Sequence, residues 1–257
     1  MFTPQGPSLR ELAVQALSSV EHGYDLLAPK FDHTPFRTPD HVLDAVEEAL
    51  SAMGPFDHGL DLCCGTGAGT GVLRELCRES VTGVDISEGM LAVHAARGPV
   101  DPAPSGPRAA LVRGDALALP FGPAFDLVVS FGAFGHFLPR ELPALFAQVH
   151  SVLRPGGRFA FPLPAPAPPG SLPYWATLGF DTAMRVRNAV WRPPFVMYYR
   201  PFRLGLVRPG LERAGFDVEL FALPGFGRRP DGSPRCRLVV ATRRPAAATE
   251  PGGVRPA

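Results

Sequence analysis

At 257 residues, with 46% hydrophobic and 19% charged side chains, the chain can bury a core, and wholesale disorder is excluded. Its net charge of +1 hides an asymmetry, net −9 over residues 1–153 and net +10 over 154–257. That polarity suits an anionic partner near the C-terminal part, but mutual neutralisation by packing is the reading favoured.

Ser8 and Glu11 have capping-box spacing, and Leu9, Leu12, Ala13, Leu17 and Val20 follow at helical intervals. Thr38 and Pro39 are read as N-cap and first-turn residues of a further helix with the apolar stripe Val42, Leu43, Val46 and Leu50. From Gly59 the rhythm changes. Apolar runs at Gly59–Cys63, Val81–Asp85, Ala109–Arg113, Phe125–Phe131 and Arg158–Leu163 alternate with helical stretches at 68–78, 88–97 and 140–153. Such an alternation predicts an α/β fold, a doubly wound and mostly parallel sheet with helices on both faces.

After Leu163 the alternation stops for about forty residues rich in aromatics (Tyr174, Trp175, Phe180, Trp191, Phe195, Tyr198, Tyr199, Phe202) and arginine (Arg185, Arg187, Arg192, Arg200, Arg203). A helix at Pro209–Ala214 and strands at Phe216–Ala222 and Arg237–Thr242 resume it. The expected parts are an N-terminal helical lid (1–54), a core (55–163), a cap insertion over the acceptor between the fifth and sixth strands (164–205), the C-terminal part of the core (206–243) and a disordered tail (244–257).

Cys63, Cys64, Cys77 and Cys236 lack metal-ligand spacing, so reduced thiols and no metal are expected. No run reaches the ~18 apolar residues of a bilayer span, and the N-terminus lacks a leader pattern. A soluble, cytoplasmic protein with no membrane partner is expected.

Asp61-Leu-Cys-Cys-Gly65-Thr-Gly67-Ala-Gly69 falls at the first strand-to-helix turn, where an open α/β sheet binds nucleotide-like ligands. Thr70 stands where a dinucleotide fingerprint requires its third glycine, which argues against a nicotinamide-dependent oxidoreductase, and no Gly-Lys-Ser/Thr follows. Asp85 ends the second strand, suited to accept from two ribose hydroxyls, and Asp115 ends the third, suited to an adenine amino group. Together with the glycine turn they specify adenosine.

These segments resemble the class I S-adenosylmethionine-dependent methyltransferase family. DLCCGTGAG, GVDIS, GDALALPF and FDLVVSFGAFGHF look like its first four motifs, VLRPGG like the segment before its fifth strand, and DLCCGTG is similar to the form in quinone-pathway members. The resemblance implies a Rossmann-like, seven-stranded sheet and S-adenosyl-L-methionine as cofactor. It places Asp61, Gly65 and Gly67 around the methionine part, Asp85 on the ribose, Ile86 and Met90 against the adenine, Asp115 and Ala116 at the adenine edge, and Ser130 and Phe131 beside the sulfur. Tyr24 and Asp25 resemble the family's N-terminal Tyr-Asp-x-x-Ala segment that closes over the cofactor.

His136, after the fourth strand, is the candidate general base. No Asn-Pro-Pro-aromatic motif follows that strand, which disfavours methylation of adenine or glutamine amino groups. The leading expectation is methyl transfer to a small molecule, aromatic or acidic. An RNA methyltransferase and a non-catalytic cofactor-binding domain are the alternatives, and no RNA-binding module is visible.

Overall fold

The central strands carry short continuous apolar stretches because the middle of the sheet must be covered on both faces. In the structure, a computed structural model that describes residues 5–97, 106–198 and 203–245, the strands are β1 (Phe56–Leu62), β2 (Cys77–Asp85), β3 (Arg108–Arg113), β4 (Phe125–Val129), β5 (Leu153–Pro164), β6 (Phe216–Ala222) and β7 (Cys236–Arg243). They form one sheet ordered β3-β2-β1-β4-β5-β7-β6, parallel except for β7, which runs antiparallel to β5 and β6. The strand order reverses between β1 and β4. A crevice at the carboxyl ends of these two strands is where such sheets take ligands.

The helices are α1 (Leu9–Leu17), α2 (Val20–Leu27), α3 (Asp40–Ser51), α4 (Ala68–Leu76), α5 (Glu88–Ala96), α6 (Leu142–Val152), α7 (Leu172–Val190) and α8 (Leu204–Arg213). Successive residues of β4 supply both faces of the sheet. Val128 joins Phe146, Phe159, Phe161, Val207 and Phe216 on one side, while Leu127 and Val129 join Val46, Leu50, Leu73 and Val81 on the other. This two-sided burial fixes the strand ends, and with them the rim that carries the candidate site.

Several boundaries depart from the sequence expectation. β2 begins four residues early, at Cys77, which pairs with Phe56; Arg78 and Glu79 follow at a register shift and reach solvent, so their polarity concealed the strand's start. The Ser8–Glu11 capping box forms, with Glu11 N–H 3.3 Å from Ser8 Oγ and Ser8 N–H 2.6 Å from Glu11 Oε2. The helix it starts is short, however. Ser19 caps a new helix by accepting from His22 N–H, and the expected single stripe is split. Leu9 is 82% exposed, whereas Gln15 is the buried residue of α1.

Thr38 is not the cap of α3; Pro39 holds that position and the helix begins at Asp40, one residue later than the sequence signal places it. α8 starts at Leu204, five residues before Pro209, which lies inside it. The carbonyl that Pro209 leaves without an amide partner belongs to exposed Gly205, where water can serve it. Residues 246–257 of the expected tail, 99–105 of a Pro/Gly-rich stretch, and Tyr199, Arg200 and Phe202 lie outside the described residues.

Candidate active site

β1 ends at Leu62, and the chain then turns through Cys63 (φ 59°), Gly65 (φ 51°) and Gly67 (φ 98°) before α4 begins. Left-handed geometry at two of these positions explains the glycines there. Gly67 has a second reason, since a Cβ on it would stand 2.5 Å from the His94 ring. Around Gly65 a Cβ would meet nothing within 4 Å, so glycine leaves open space beside the backbone.

Asp85, the last residue of β2, joins this bend to the next one. Its Oδ2 accepts from Gly65 N–H (2.8 Å) and its Oδ1 from Ser87 N–H (2.9 Å). Burial raises its pKa against the opposing pull of these amides, and Asp25 adds a smaller upward push. Asp25 Oδ1 accepts from Ser87 Oγ (2.6 Å) and Gly89 N–H (2.9 Å), pinning α2 to the start of α5. Asp32 accepts from Thr66 Oγ1 (2.8 Å) and pairs with Arg97, fastening the turn after α2 to the glycine bend.

A cavity of about 280 Å³ lies over the strand ends. Gly65, Asp85, Ile86, Met90, Asp115 and Ala116 line it, and so do Tyr24, Phe131 and His136. Nine of the twelve residues singled out in the sequence therefore converge on one space. Asp61, Gly67 and Ser130 do not line it.

Asp61 is buried beneath the bend, accepting from Thr70 Oγ1 (2.9 Å), and desolvation lifts its pKa to about 7. Ser130 is buried and donates to the Leu62 carbonyl (3.0 Å), tying β4 to β1. Asp115 is exposed, and its Oδ1 accepts from Leu117 N–H (2.9 Å). Ile86, 42% exposed, offers an uncovered apolar surface within a rim of carboxylates.

His136 sits in a short 3-10 turn, Ala133–His136, entered through Gly132 at φ 75°. Its Nδ1 lies 2.9 Å from the Val196 carbonyl, which can only accept, so Nδ1 carries the proton. Nε2 then accepts from Tyr24 O–H at 2.8 Å, with the rings edge to face. Burial pushes the imidazole pKa down, with the Val196 bond opposing, and the ring is neutral at pH 7.

Tyr24, Phe36, Gly132 and His136 also border a second cavity of about 450 Å³, whose other walls include Phe134, Leu163, Met197, Tyr198 and Phe226, with Arg37 and Arg235 among its lining. The Tyr24–His136 pair thus stands in the partition between two cavities.

Phe31, Phe36 and Val196 escaped the sequence reading. Phe31 and Phe36 lie in and just after a 3-10 helix, Ala28–His33, which gives no helical periodicity, and Val196 meets His136 only through the fold. Within the expected cap, residues 164–205, Phe195 is buried, but Trp175 and Trp191 are more than half exposed, so the tryptophans do not form a core there. Burial holds the thiols of Cys63, Cys64, Cys77 and Cys236 protonated. Among the described residues no cluster of His, Cys, Asp or Glu could hold a metal.

Residues 60–157 match the family described as a methyltransferase domain. The chain is 39% identical over 116 residues to a demethylmenaquinone methyltransferase of Symbiobacterium thermophilum, covering 43% of this chain and 44% of that protein. It is 31% identical over 163 residues to a 2-phytyl-1,4-naphtoquinone methyltransferase of Synechococcus elongatus, covering 58% and 65%. The matches to the demethylmenaquinone enzyme and to an uncharacterised Synechocystis methyltransferase span less than half the length of each relative. The magnesium protoporphyrin IX methyltransferase of Synechocystis, crystallised with S-adenosylhomocysteine, shares the fold at a TM-score of 0.55 and 21% identity over 79% of this chain and 81% of that one. The glycine bend, the carboxylates that follow β2 and β3 and the matched segment agree: residues 60–157 of this chain carry a methyltransferase domain.

Proposed function

We propose that the protein binds S-adenosylmethionine in the 280 Å³ cavity and methylates a flat, largely apolar small molecule held in the 450 Å³ cavity beside it. The supporting observation is the convergence of Gly65, Asp85 and Asp115 on a single space that His136 also lines.

The residues fit the cofactor. Open space beside Gly65 lets a ligand approach the backbone, Asp85 retains acceptor capacity for ribose hydroxyls, Ile86 and Met90 offer apolar surface for the adenine, and Asp115 with Ala116 stands at its edge. When bound, the cofactor supplies a methyl group already activated by sulfonium charge. The chain's own task is to align an acceptor and exclude water. His136, neutral and with Nε2 as acceptor, takes the proton of an acceptor hydroxyl or acidic carbon, directly or through the Tyr24 hydroxyl. The quinone-pathway names of the relatives favour an aromatic acceptor of the quinol or naphthol type. Phe134, Phe226 and Tyr198 suit it, and Arg37 and Arg235 suit acidic substituents.

Incubation with S-adenosylmethionine labelled in its methyl group and a panel of quinols, naphthols and aromatic acids tests the reading. Label in the organic phase supports it. Cofactor binding without transfer to any of these acceptors contradicts it.

Proton linkage provides a further check. Asp61, with its pKa near 7, is partly protonated near neutral pH, and burial raises the pKa of Asp85 as well. A cation entering this acidic rim favours their ionised forms, so binding releases protons and tightens as pH rises toward 8. Calorimetry at pH 7 in buffers of different ionisation enthalpy should find release of about half a proton. A binding heat independent of buffer would contradict the assignment.

A further inference from the structure

α7 is apolar on the wrong side for a helix that only packs inward. Leu172, Trp175, Gly179, Ala183, Val186 and Val190 recur at intervals of three and four, and every one of them is exposed, Leu172 by 83% and Val190 by 78%. Nineteen residues give this stripe a length of about 28 Å. Exposed Trp191 continues it beyond the helix end. The opposite face is the attached one: Met184 packs with Phe195 and Met197, Asn188 exchanges hydrogen bonds with the Phe195 backbone, and Arg187 donates to the Ser18 carbonyl.

Charge identifies what covers the stripe. Between Glu141 and Glu212 the only acidic residue is Asp181, and it is buried on the attached face. Arg185 and Arg192 are exposed, the Arg185 guanidinium lying 4.9 Å from the centre of the Tyr198 ring and Arg192 following exposed Trp191 at the end of the stripe. Two copies of such a face would bring arginines together with no carboxylate from this segment to offset them. An anionic lipid surface offers apolar depth for the valines and tryptophans and phosphates for the guanidiniums.

We infer that α7 is an interfacial helix that lays its Leu172–Val190 stripe into the surface of an anionic lipid bilayer. This departs from the expectation of no membrane partner, and the reason is physical. The criterion of ~18 uninterrupted apolar residues detects helices that cross a bilayer, and no described helix is long and apolar enough to do so, whereas a helix lying in the interface needs only one apolar face. The segment holding α7 leaves the sheet at Leu163 and Pro164 and passes back beside the 3-10 turn at Met197 and Tyr198, where Tyr198 N–H donates to the Gly135 carbonyl; all four residues border the 450 Å³ cavity. The docked face therefore belongs to the element that walls the proposed acceptor site.

The chain has two tryptophans, Trp175 and Trp191, and both lie on this surface, so intrinsic fluorescence reads it directly. Adding vesicles of phosphatidylglycerol and phosphatidylcholine should shift emission to the blue and sediment the protein, and vesicles of phosphatidylcholine alone should do neither. The exposed double substitution Val186→Asp with Val190→Asp should lower partitioning by at least ~10-fold with the circular dichroism unchanged, and Arg192→Glu should weaken it less. An absent shift with anionic vesicles, equal binding of the double variant, or a shift that grows with protein concentration without lipid would overturn the inference. Neither cofactor nor acceptor is needed in this measurement, so its failure leaves the methyl-transfer reading standing.

Discussion

His136→Ala is expected to lower turnover by ~10²–10⁴-fold, the usual worth of a positioned general base, while leaving affinity for S-adenosylhomocysteine nearly unchanged. The split follows from position. His136 borders both cavities, and its polar bonds run to Val196 and Tyr24 and not to the carboxylate rim. Because burial depresses the imidazole pKa, the base form persists below the ordinary value of ~6.5, and the acid limb of turnover should lie at more acidic pH than that. The same group makes the fold sensitive to acid. Its pKa is lower folded than unfolded, so its contribution to stability is present above the unfolded value and is lost as pH falls toward the folded one.

Tyr24→Phe separates relay from packing. It keeps the ring and removes the O–H that Nε2 accepts from at 2.8 Å. Losing a donor that favours the neutral imidazole raises its pKa, so the acid limb should move to higher pH. A steady-state pH profile measures both variants. Full turnover in His136→Ala would reduce the histidine to a packing role.

Asp85→Ala should weaken cofactor binding by about 1–3 kcal/mol, roughly 5- to 150-fold. Two effects add. The ribose hydroxyls lose a charged acceptor, and Gly65 N–H and Ser87 N–H lose the carboxylate that fixes the bend. Asp85→Asn should cost less, since the amide oxygen still accepts from one of these amides. Isothermal titration with S-adenosylhomocysteine resolves the two variants. Unchanged affinity in Asp85→Ala would remove this carboxylate from the ribose site.

The parts of the site that could be read in the sequence are those where chemistry demands a residue type at a fixed place. Gly65 needs a positive φ and an open flank, Asp85 ends β2, and Asp115 follows β3 by two residues, each after an apolar run that announces it. The sheet could be read for the same reason, since strands covered on both faces leave continuous apolar stretches. What could not be read is tertiary. Tyr24 and His136 are 112 residues apart, and nothing local to either shows that they share a hydrogen bond. Asp61 and Ser130 carry motif positions, yet they serve the frame beneath the cavity, Asp61 through Thr70 and Ser130 through Leu62. Periodicity also misled. The stripe of α1 has helical spacing, but Leu9 faces outward, because spacing gives a face and not the direction in which it points.

The most direct test is a crystal structure of the protein with S-adenosylhomocysteine. The account predicts the adenine against Ile86 and Met90, its edge at Asp115 and Ala116, and both ribose hydroxyls on the Asp85 carboxylate. An adenosine bound elsewhere on the sheet, with Gly65, Asp85 and Asp115 facing solvent, would contradict it.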